Sequence, residues 1–406
     1  MNIIGLDIGR GSAVACLLDS FPANIKQHYK TLKRNKEFYK LTTDRAGLEK
    51  FLALKPDAII LEPSGHWYSH FWVNIAQRNN IDIYWVGHSD LKHQRGSYQF
   101  TNKRDEEDAL CLAATYFDER FKDEHDNKRF LKYYYAQNEA ITKLREVFLK
   151  KEQLTKLRSG LVSQLRQRLA YEFPEIVKHK MEISEVRGFT PIIGWLAGSH
   201  QAQRYANKYA QSVVHELGIE FSDFTRSHCQ MIVKIETRIS KCYDYLEEAL
   251  HNPDFEPYLR VFEKFGFGLD NKVLLLYQIF PFEKFLVNNK AWIEYDESKG
   301  KLQKRDRSLR KFQAFMGLSY SYEQSGDKIK RKFHGSTMIR SHLYAWAVCM
   351  VAPKKNGRRI EGEIGEKLCD RFQELRVNVK GKDSLTRIVF KATRMLFYEL
   401  LNELTK

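Results

Sequence analysis

The sequence is short of the features that mark several large protein classes. It has 6 Cys in 406 residues. These six, Cys16, Cys111, Cys229, Cys242, Cys349 and Cys369, include no C-x-x-C pair, which speaks against a zinc ribbon and against a disulfide framework. With 9 Pro and 22 Gly the chain is neither collagen-like nor low in complexity. No run of 18 apolar residues occurs and the first residues open directly into a strand-like run, so neither a membrane span nor a signal peptide is expected, and the chain reads as cytoplasmic. Acidic residues are outnumbered, 51 against 67 Lys+Arg, for a net charge of +16. An excess of that size calls for an acidic partner, nucleic acid before any other.

The charge is unevenly spread. Residues 1–122 carry 17 Lys+Arg against 15 Asp+Glu, which leaves the rest of the chain a net +14. The first segment alternates strand and helix patterns. Apolar runs at Ile3 to Ile8 and Ala13 to Leu18, a strand near Phe38 to Leu41 and a helix near Arg45 to Leu54 precede a buried strand, Ala58 to Leu61. A helix at Trp67 to Arg78, a strand at Ile81 to Val86 and a helix at Asp105 to Phe121 follow. Three strands and then alternating helices and strands predict an α/β layer with a mixed sheet. Beyond residue 122 the pattern is helical. Ile141, Leu144, Phe148, Leu154, Leu157, Leu161, Leu165, Leu169 and Phe173 recur at three- and four-residue steps, as along one apolar seam, and Pro174 closes the run. A second long helix is expected at Phe224 to Leu250. The reading divides the chain into residues 1–122, a helical coiled-coil middle at 123–257 that joins subunits, and a compact, mainly helical unit at 258–406.

Four carboxylates stand out. Asp7 lies near the end of the first apolar run and Glu62 ends the fourth. Asp105 and Asp108, three apart, share one face of a helix start. Carboxylates among apolar strand residues are costly to bury without compensation, and divalent cations are the common means of holding several together. Two strand carboxylates and a helical pair suit two Mg²⁺ ions in phosphoryl transfer. Each residue alone also has an ordinary explanation: acidic residues favour first helical turns, and Gly-Leu-Asp-Ile-Gly also suits actin-like ATPases and sugar kinases.

Taken as strings, Gly5-Leu6-Asp7-Ile8-Gly9, Leu61-Glu62-Pro63-Ser64-Gly65-His66-Trp67-Tyr68 and Asn102-Lys103-Arg104-Asp105-Glu106-Glu107-Asp108-Ala109-Leu110 resemble the DEDD transposases of the one-ten insertion-sequence family, relatives of the Piv DNA invertases. The resemblance implies an N-terminal RNase H-like domain of RuvC type, a coiled-coil middle and a C-terminal transposase domain. It also implies a cytoplasmic, nucleoid-associated enzyme of a prokaryotic mobile element, acting on donor and target DNA. A guide (bridge) RNA and a homo-oligomer, dimer or tetramer, come with it, the RNase H-like domain of one subunit meeting the serine of another. The C-terminal likeness is looser, because the family's two prolines are replaced in Phe265-Gly266-Phe267-Gly268 and Gly317-Leu318-Ser319-Tyr320. Ser325-Gly326 is kept, which makes Ser325 the candidate nucleophile. The family's basic helix corresponds to Lys328, Lys330, Arg331, Lys332 and Arg340, candidates for nucleic-acid binding. Ser319, Ser321 and above all Ser336 are rival serines, and a Ser-Gly pair is otherwise an ordinary turn.

His66 and His70, four apart, lack a third zinc ligand, and His228, Cys229 and Cys242 read as helix interior. Phe265 to Gly268 suits either a helix-hairpin-helix turn or a helix end. Two other classes stay open. One is a RuvC-like junction nuclease using metal-activated water alone; the second is a non-catalytic nucleic-acid-binding protein.

Overall fold

The computed structural model describes residues 1–63, 66–121, 131–133, 139–298, 301–325, 328–352, 359–379 and 381–405. It forms two compact units, Met1–Gln137 and Asn138–Lys406.

The first unit is a six-stranded mixed sheet in the order β3-β2-β1-β4-β5-β6. Its strands are β1 (Ile3–Gly9), β2 (Ser12–Leu18), β3 (Phe38–Thr42), β4 (Ala58–Leu61), β5 (Asp82–Trp85) and β6 (Lys132–Tyr133). β1 to β3 form an antiparallel meander, β4 and β5 run parallel to β1, and β6 is antiparallel on the outer edge. The helices are α1 (Ile25–Asn35), α2 (Arg45–Ala53), α3 (His66–Arg78), α4 (His88–Ser97) and α5 (Asp105–Phe117). The mixed sheet meets the sequence expectation, while α1 and α4 are additions to it. The α4 segment, His-Ser-Asp-Leu-Lys-His-Gln-Arg-Gly-Ser, buries only Leu91 and Gln94, too few apolar positions to give a helical pattern.

Strand alternation sorts the side chains into two cores. Ile3, Cys16, Leu18, Ala58 and Ile60 pack with Tyr29 and Leu32 of α1, Leu91 of α4 and Ala109 to Ala114 of α5. Ile4, Leu6, Ile8, Ala15, Ile59 and Leu61 pack on the opposite face with Phe51 of α2 and Trp72, Val73 and Ala76 of α3. Odd positions of β1 and even positions of β4 therefore face α5. Gly5 decides how closely. A Cβ there would lie 2.0 Å from the carbonyl oxygen of Ala109 and 2.5 Å from the amide nitrogen of Ala113, so α5 rests directly on the backbone of β1.

The second unit begins with α6 (Glu139–Glu172) and continues with α7 (Pro191–Leu196), α8 (Gln203–Ala210), α9 (Val213–Glu216) and α10 (Asp223–Ala249). The hairpin of α11 (Glu256–Glu263) and α12 (Leu269–Ile279) comes next. The predicted seam of α6 is closed by the chain's own helices. Ile141, Leu144 and Phe148 enter one core, and Val162, Leu165 and Leu169 enter a second with Cys229 and Ile232 of α10. Between them the seam turns polar. Lys151, 1 % exposed, pairs with Asp270 at 2.7 Å. Arg158 pairs with the fully buried Glu236 at 2.7 Å, and Glu236 also accepts from the amide and hydroxyl of Thr190. Leu157 is left 53 % exposed. The seam read as a subunit joint is thus buried inside one chain for most of its length. A period of three and four records burial without saying which chain supplies the partner.

The C-terminal part is mostly helical, as expected, and adds two β-hairpins, β7 (Ile293–Ser298) with β8 (Lys301–Asp306) and β9 (Ser319–Ser325) with β10 (Lys328–His334). Around them stand α13 (Arg307–Phe315), α14 (Thr337–Met350), α15 (Glu363–Asn378) and α16 (Gly381–Leu404). The basic run 328–332 accordingly lies on a strand where a basic helix is expected, in keeping with the alternation of Lys-Ile-Lys-Arg-Lys-Phe. The turn at Phe265 to Gly268 joins α11 to α12. Gly266 adopts a positive φ of 59°, and Phe265 and Phe267 are buried and stacked at 5.5 Å, so this turn belongs to the core. No helix among the described residues is long and apolar enough to cross a membrane.

The Gly5 contact leads to a direct expectation. Gly5→Ala forces α5 off the sheet and destabilises the first unit by about 3 kcal/mol. Chemical denaturation followed by tryptophan fluorescence checks this; a midpoint equal to the parent's would show that α5 does not rest on this backbone.

Candidate functional site

Asp7 sits two residues beyond Gly5, hence on the same face of β1, the face that receives α5. β4 runs beside β1 with Leu6 opposite Leu61. One step further, the same register brings Glu62 alongside Asp7, both at the carboxyl ends of parallel strands. The first turn of α5 consists of Asp105, Glu106, Glu107 and Asp108, acidic side chains that the positive end of the helix favours. Because Ala109 rests on Gly5, the turn before it overhangs Asp7.

The result is one electrostatic cluster. Burial pushes the carboxyl group of Asp7 up to about 7, and repulsion from Asp108, Asp105 and Glu62 adds to the shift, while Lys103 opposes it. Asp108, with its side chain 2 % exposed, is raised chiefly by burial as well, against the pull of Arg95. The structure thus brings together all four of the carboxylates singled out from the sequence. The neighbouring acids point elsewhere, as their helix positions predict. Glu106 accepts from Lys33 Nζ at 2.8 Å and from the Tyr29 hydroxyl at 3.1 Å, and Glu107 is buried.

Two residues that sequence reading missed complete the cluster. His88 Nδ1 meets Glu62 Oε1, and Arg95 Nη1 stands 3.1 Å from Asp108 Oδ1 while donating to Oδ2 at 3.3 Å. Both lie on α4, the helix that sequence periodicity does not reveal. One signal was available for His88: it follows the carboxyl end of β5 as Glu62 follows that of β4, and open α/β sheets place their sites at those ends.

The donor set suits a hard divalent cation. It offers carboxylate oxygens only, their mutual repulsion is relieved by positive charge, and Asp108 Oδ1 is buried without a hydrogen bond. Among the described residues no three such side chains already converge on one point. Glu62 and Asp108 are instead turned to His88 and Arg95, which partly balance them.

The serine lies on the β9-β10 hairpin. Ser325 is the last residue of β9 and pairs with Lys328; its side chain and those of Lys328, Lys330 and Arg331 lie outside the described residues, as do Gly326 and Asp327. The register sets positions 319, 321, 323 and 325 opposite 334, 332, 330 and 328. The base of the hairpin is pinned where two glycines of positive φ, Gly317 at 71° and Gly335 at 95°, cross. A Cβ on Gly317 would stand 2.3 Å from the carbonyl oxygen of Ser336. The rival serines are engaged. Ser336 caps α14 by accepting from the amide of Ile339 at 3.3 Å, and the hydroxyls of Ser319 and Ser321 donate across the hairpin to carbonyls of His334 and Lys332. Lys332 is exposed, and Arg340 donates to the carbonyl of Gly317 at 2.6 Å. Of the remaining candidates, His228 contacts the carbonyl of Leu161 at 2.9 Å, Cys229 and Cys242 are buried free thiols, and the side chain of His66 lies outside the described residues.

Comparison with known families decides what kind of protein carries these two regions. Residues 4–174 match a transposase family model of the DEDD, IS110 type, and residues 299–361 match the model described as Transposase IS116/IS110/IS902 family. The chain is a transposase. As such it is an enzyme that cleaves DNA and transfers strands. No curated protein matches it. The four carboxylates of the transposase lie in the first matched segment, and Ser325, the basic run and Arg340 lie in the second.

The crowding at Asp7 has a pH signature. Its proton is held more tightly in the folded state than in the unfolded chain, so the penalty for ionising it is absent below pH 4, grows as pH rises toward 7 and is complete above that. In chelator, Asp7→Asn should therefore stabilise the transposase by about 2 kcal/mol at pH 8, after allowance for solvent screening, and by almost nothing at pH 4. Thermal unfolding of both proteins across this range tests it; a gap independent of pH would show that Asp7 is not crowded.

Proposed function

We propose that the transposase cuts and rejoins DNA through a Mg²⁺-dependent carboxylate site and a serine nucleophile, with an RNase H-like first domain. The observation that carries the reading is the proximity of Asp7, Glu62, Asp105 and Asp108 at the carboxyl ends of the central strands β1 and β4, close enough for each of the other three to raise the affinity of Asp7 for its proton. Asp7, Glu62, Asp105 and Asp108 would hold the metal, two ions in all. Bound there, Mg²⁺ supplies Lewis acidity for a scissile phosphate. Arg95 pairs with Asp108 and orients it. His88 meets Glu62, and both contacts orient the carboxylates before metal arrives.

Ser325 is the proposed nucleophile. Its Oγ forms a bond to phosphorus as the bond from phosphorus to the leaving strand oxygen breaks, and the serine proton passes to that departing oxygen. The phosphoserine keeps the energy of the broken phosphodiester, so a hydroxyl of a second strand can displace the serine and restore its proton. Water in place of serine would end in a free phosphate, and the energy of the broken phosphodiester would be lost at that end. The hairpin fits this role, because strand alternation groups position 325 with 328, 330 and 332, all lysines, beside a polyanionic substrate. Lys328, Lys330, Arg331, Lys332 and Arg340 contact nucleic acid in this reading. A guide RNA that pairs with donor and target DNA, and a homo-oligomer, complete it.

The test is a covalent adduct. Donor and target DNA incubated with the full-length protein, Mg²⁺ and co-purified RNA should give a DNA adduct at Ser325. Ser325→Ala should lose adduct and strand transfer together, while Ser336→Ala keeps the adduct and costs about 1 kcal/mol of stability through its lost helix cap. An adduct on another serine, or clean 5′-phosphate ends with none, would overturn the assignment. For the guide, RNA-free protein should bind DNA but not exchange strands at a defined target; full exchange without RNA would remove that part of the reading.

A further inference from the structure

Beneath the β9-β10 hairpin lies an open cleft of about 360 Å³. Its walls come from the hairpin base, from α14 and from the first two turns of α16. Phe333, Leu318, Val389 and Tyr344 make it apolar and aromatic, while Arg340 and Lys382 make it cationic, and no carboxylate among the described residues lines it.

The two cations are differently placed. Arg340 caps an aromatic ladder. Tyr320 stacks on Phe390 at 5.5 Å with the planes 10° apart, Phe333 lies 4.5 Å from Tyr320, and the Arg340 guanidinium sits 4.8 Å from the Phe333 centroid. Two of its nitrogens are held by the carbonyl of Gly317 and the hydroxyl of Thr337, so the planar group is fixed in orientation without being neutralised. Lys382 is exposed, makes no ion pair among the described residues and stands one residue into the 24-residue α16, whose positive dipole end adds to its charge.

An apolar wall, a guanidinium set over the last ring of an aromatic cluster and a second cation at a helix start match one kind of ligand. We propose that this cleft holds a single unpaired nucleotide, its base against Arg340 and the wall of Leu318, Val389 and Tyr344, its phosphate at Lys382 and the start of α16. Paired bases cannot enter, because their faces are already stacked, so the cleft selects a strand that is locally single. A lone anion would need no aromatic wall, and an apolar peptide would leave both cations uncompensated. The site rests on the reading that the hairpin carrying Ser325 works at a DNA strand, and it supplies that strand with an anchor point one hairpin length away. Its chemistry is common to DNA and RNA, and the test separates the two.

The full-length protein is titrated into single-stranded oligonucleotides with one central 2-aminopurine, in DNA and in RNA form, and into a blunt DNA duplex with the same label. Binding of the preferred single strand should quench the fluorescence, as stacking does, and the duplex should bind with its fluorescence unchanged. Lys382→Glu should weaken single-strand binding about tenfold. Arg387→Glu, an identical charge change on the same helix outside the cleft, should weaken it less than twofold. Phe333→Leu should lose the quench. Ser325→Ala should bind as the parent does, which separates failure of the cleft from failure of the nucleophile assignment. Equal losses for Lys382→Glu and Arg387→Glu, or no quench with either single strand, would overturn the proposal.

Discussion

Four carboxylates crowded at the carboxyl ends of β1 and β4, the two central strands of the sheet, are the constraint on which the first unit depends. Left to themselves they would push α5 away from β1, and their repulsion adds to the burial that raises the affinity of Asp7 for its proton. Packing opposes it. The backbone contact between Gly5 and the Ala109 turn leaves α5 no slack, and Ala109 to Ala114 are fully buried behind the acidic turn. The helix dipole, Arg95 and Lys103 return part of the electrostatic cost. What they do not offset is a standing demand for more positive charge at a place lined by hard oxygen donors. A cation bound there would relieve the same repulsion that the packing of α5 has to withstand.

The second unit solves a different problem. Its longest helix, α6, carries 8 Lys+Arg against 4 Glu, and two of those cations go inside. Lys151 and Arg158 fill the polar middle layer of α6, where Asp270 and Glu236 meet them. Such buried pairs add little net stability compared with apolar packing, yet each is expensive to break on one side, so they fix which residues of α6 lie against α10 and α12. The remaining excess is left at the surface. In the hairpin region the same logic appears on a smaller scale, with Arg340 oriented by a carbonyl and a hydroxyl, neither of which cancels its charge.

The legibility of this protein in its sequence varies with the range of the interaction concerned. Asp7, Glu62, Asp105 and Asp108 were recognisable because each signal is local: a carboxylate at the end of an apolar strand, or a pair three apart in a first helical turn. Strand parity even places Asp7 on the same face as Gly5. That α5, many residues later, rests on that face is a long-range fact with no local trace, and the same holds for Arg95 and His88, carried by a helix without an apolar stripe. The seam of α6 shows the opposite error. Its periodicity is real, but periodicity reports that a face is buried and not against what.

By itself the sequence determined the strands β1 to β5, the acidic helix start, the long helices α6 and α10 and the distribution of charge, since all of these follow from the spacing of neighbouring residues. Only the tertiary structure decided that the basic run 328–332 is a strand in a hairpin, that α6 is covered from within its own chain, and that the carboxylates meet Arg95 and His88. The physical reason is common to the three cases. Strand or helix, free face or core, balanced or unbalanced charge are each settled by partners distant in the chain, and a partner's identity is not written into the residue that needs one.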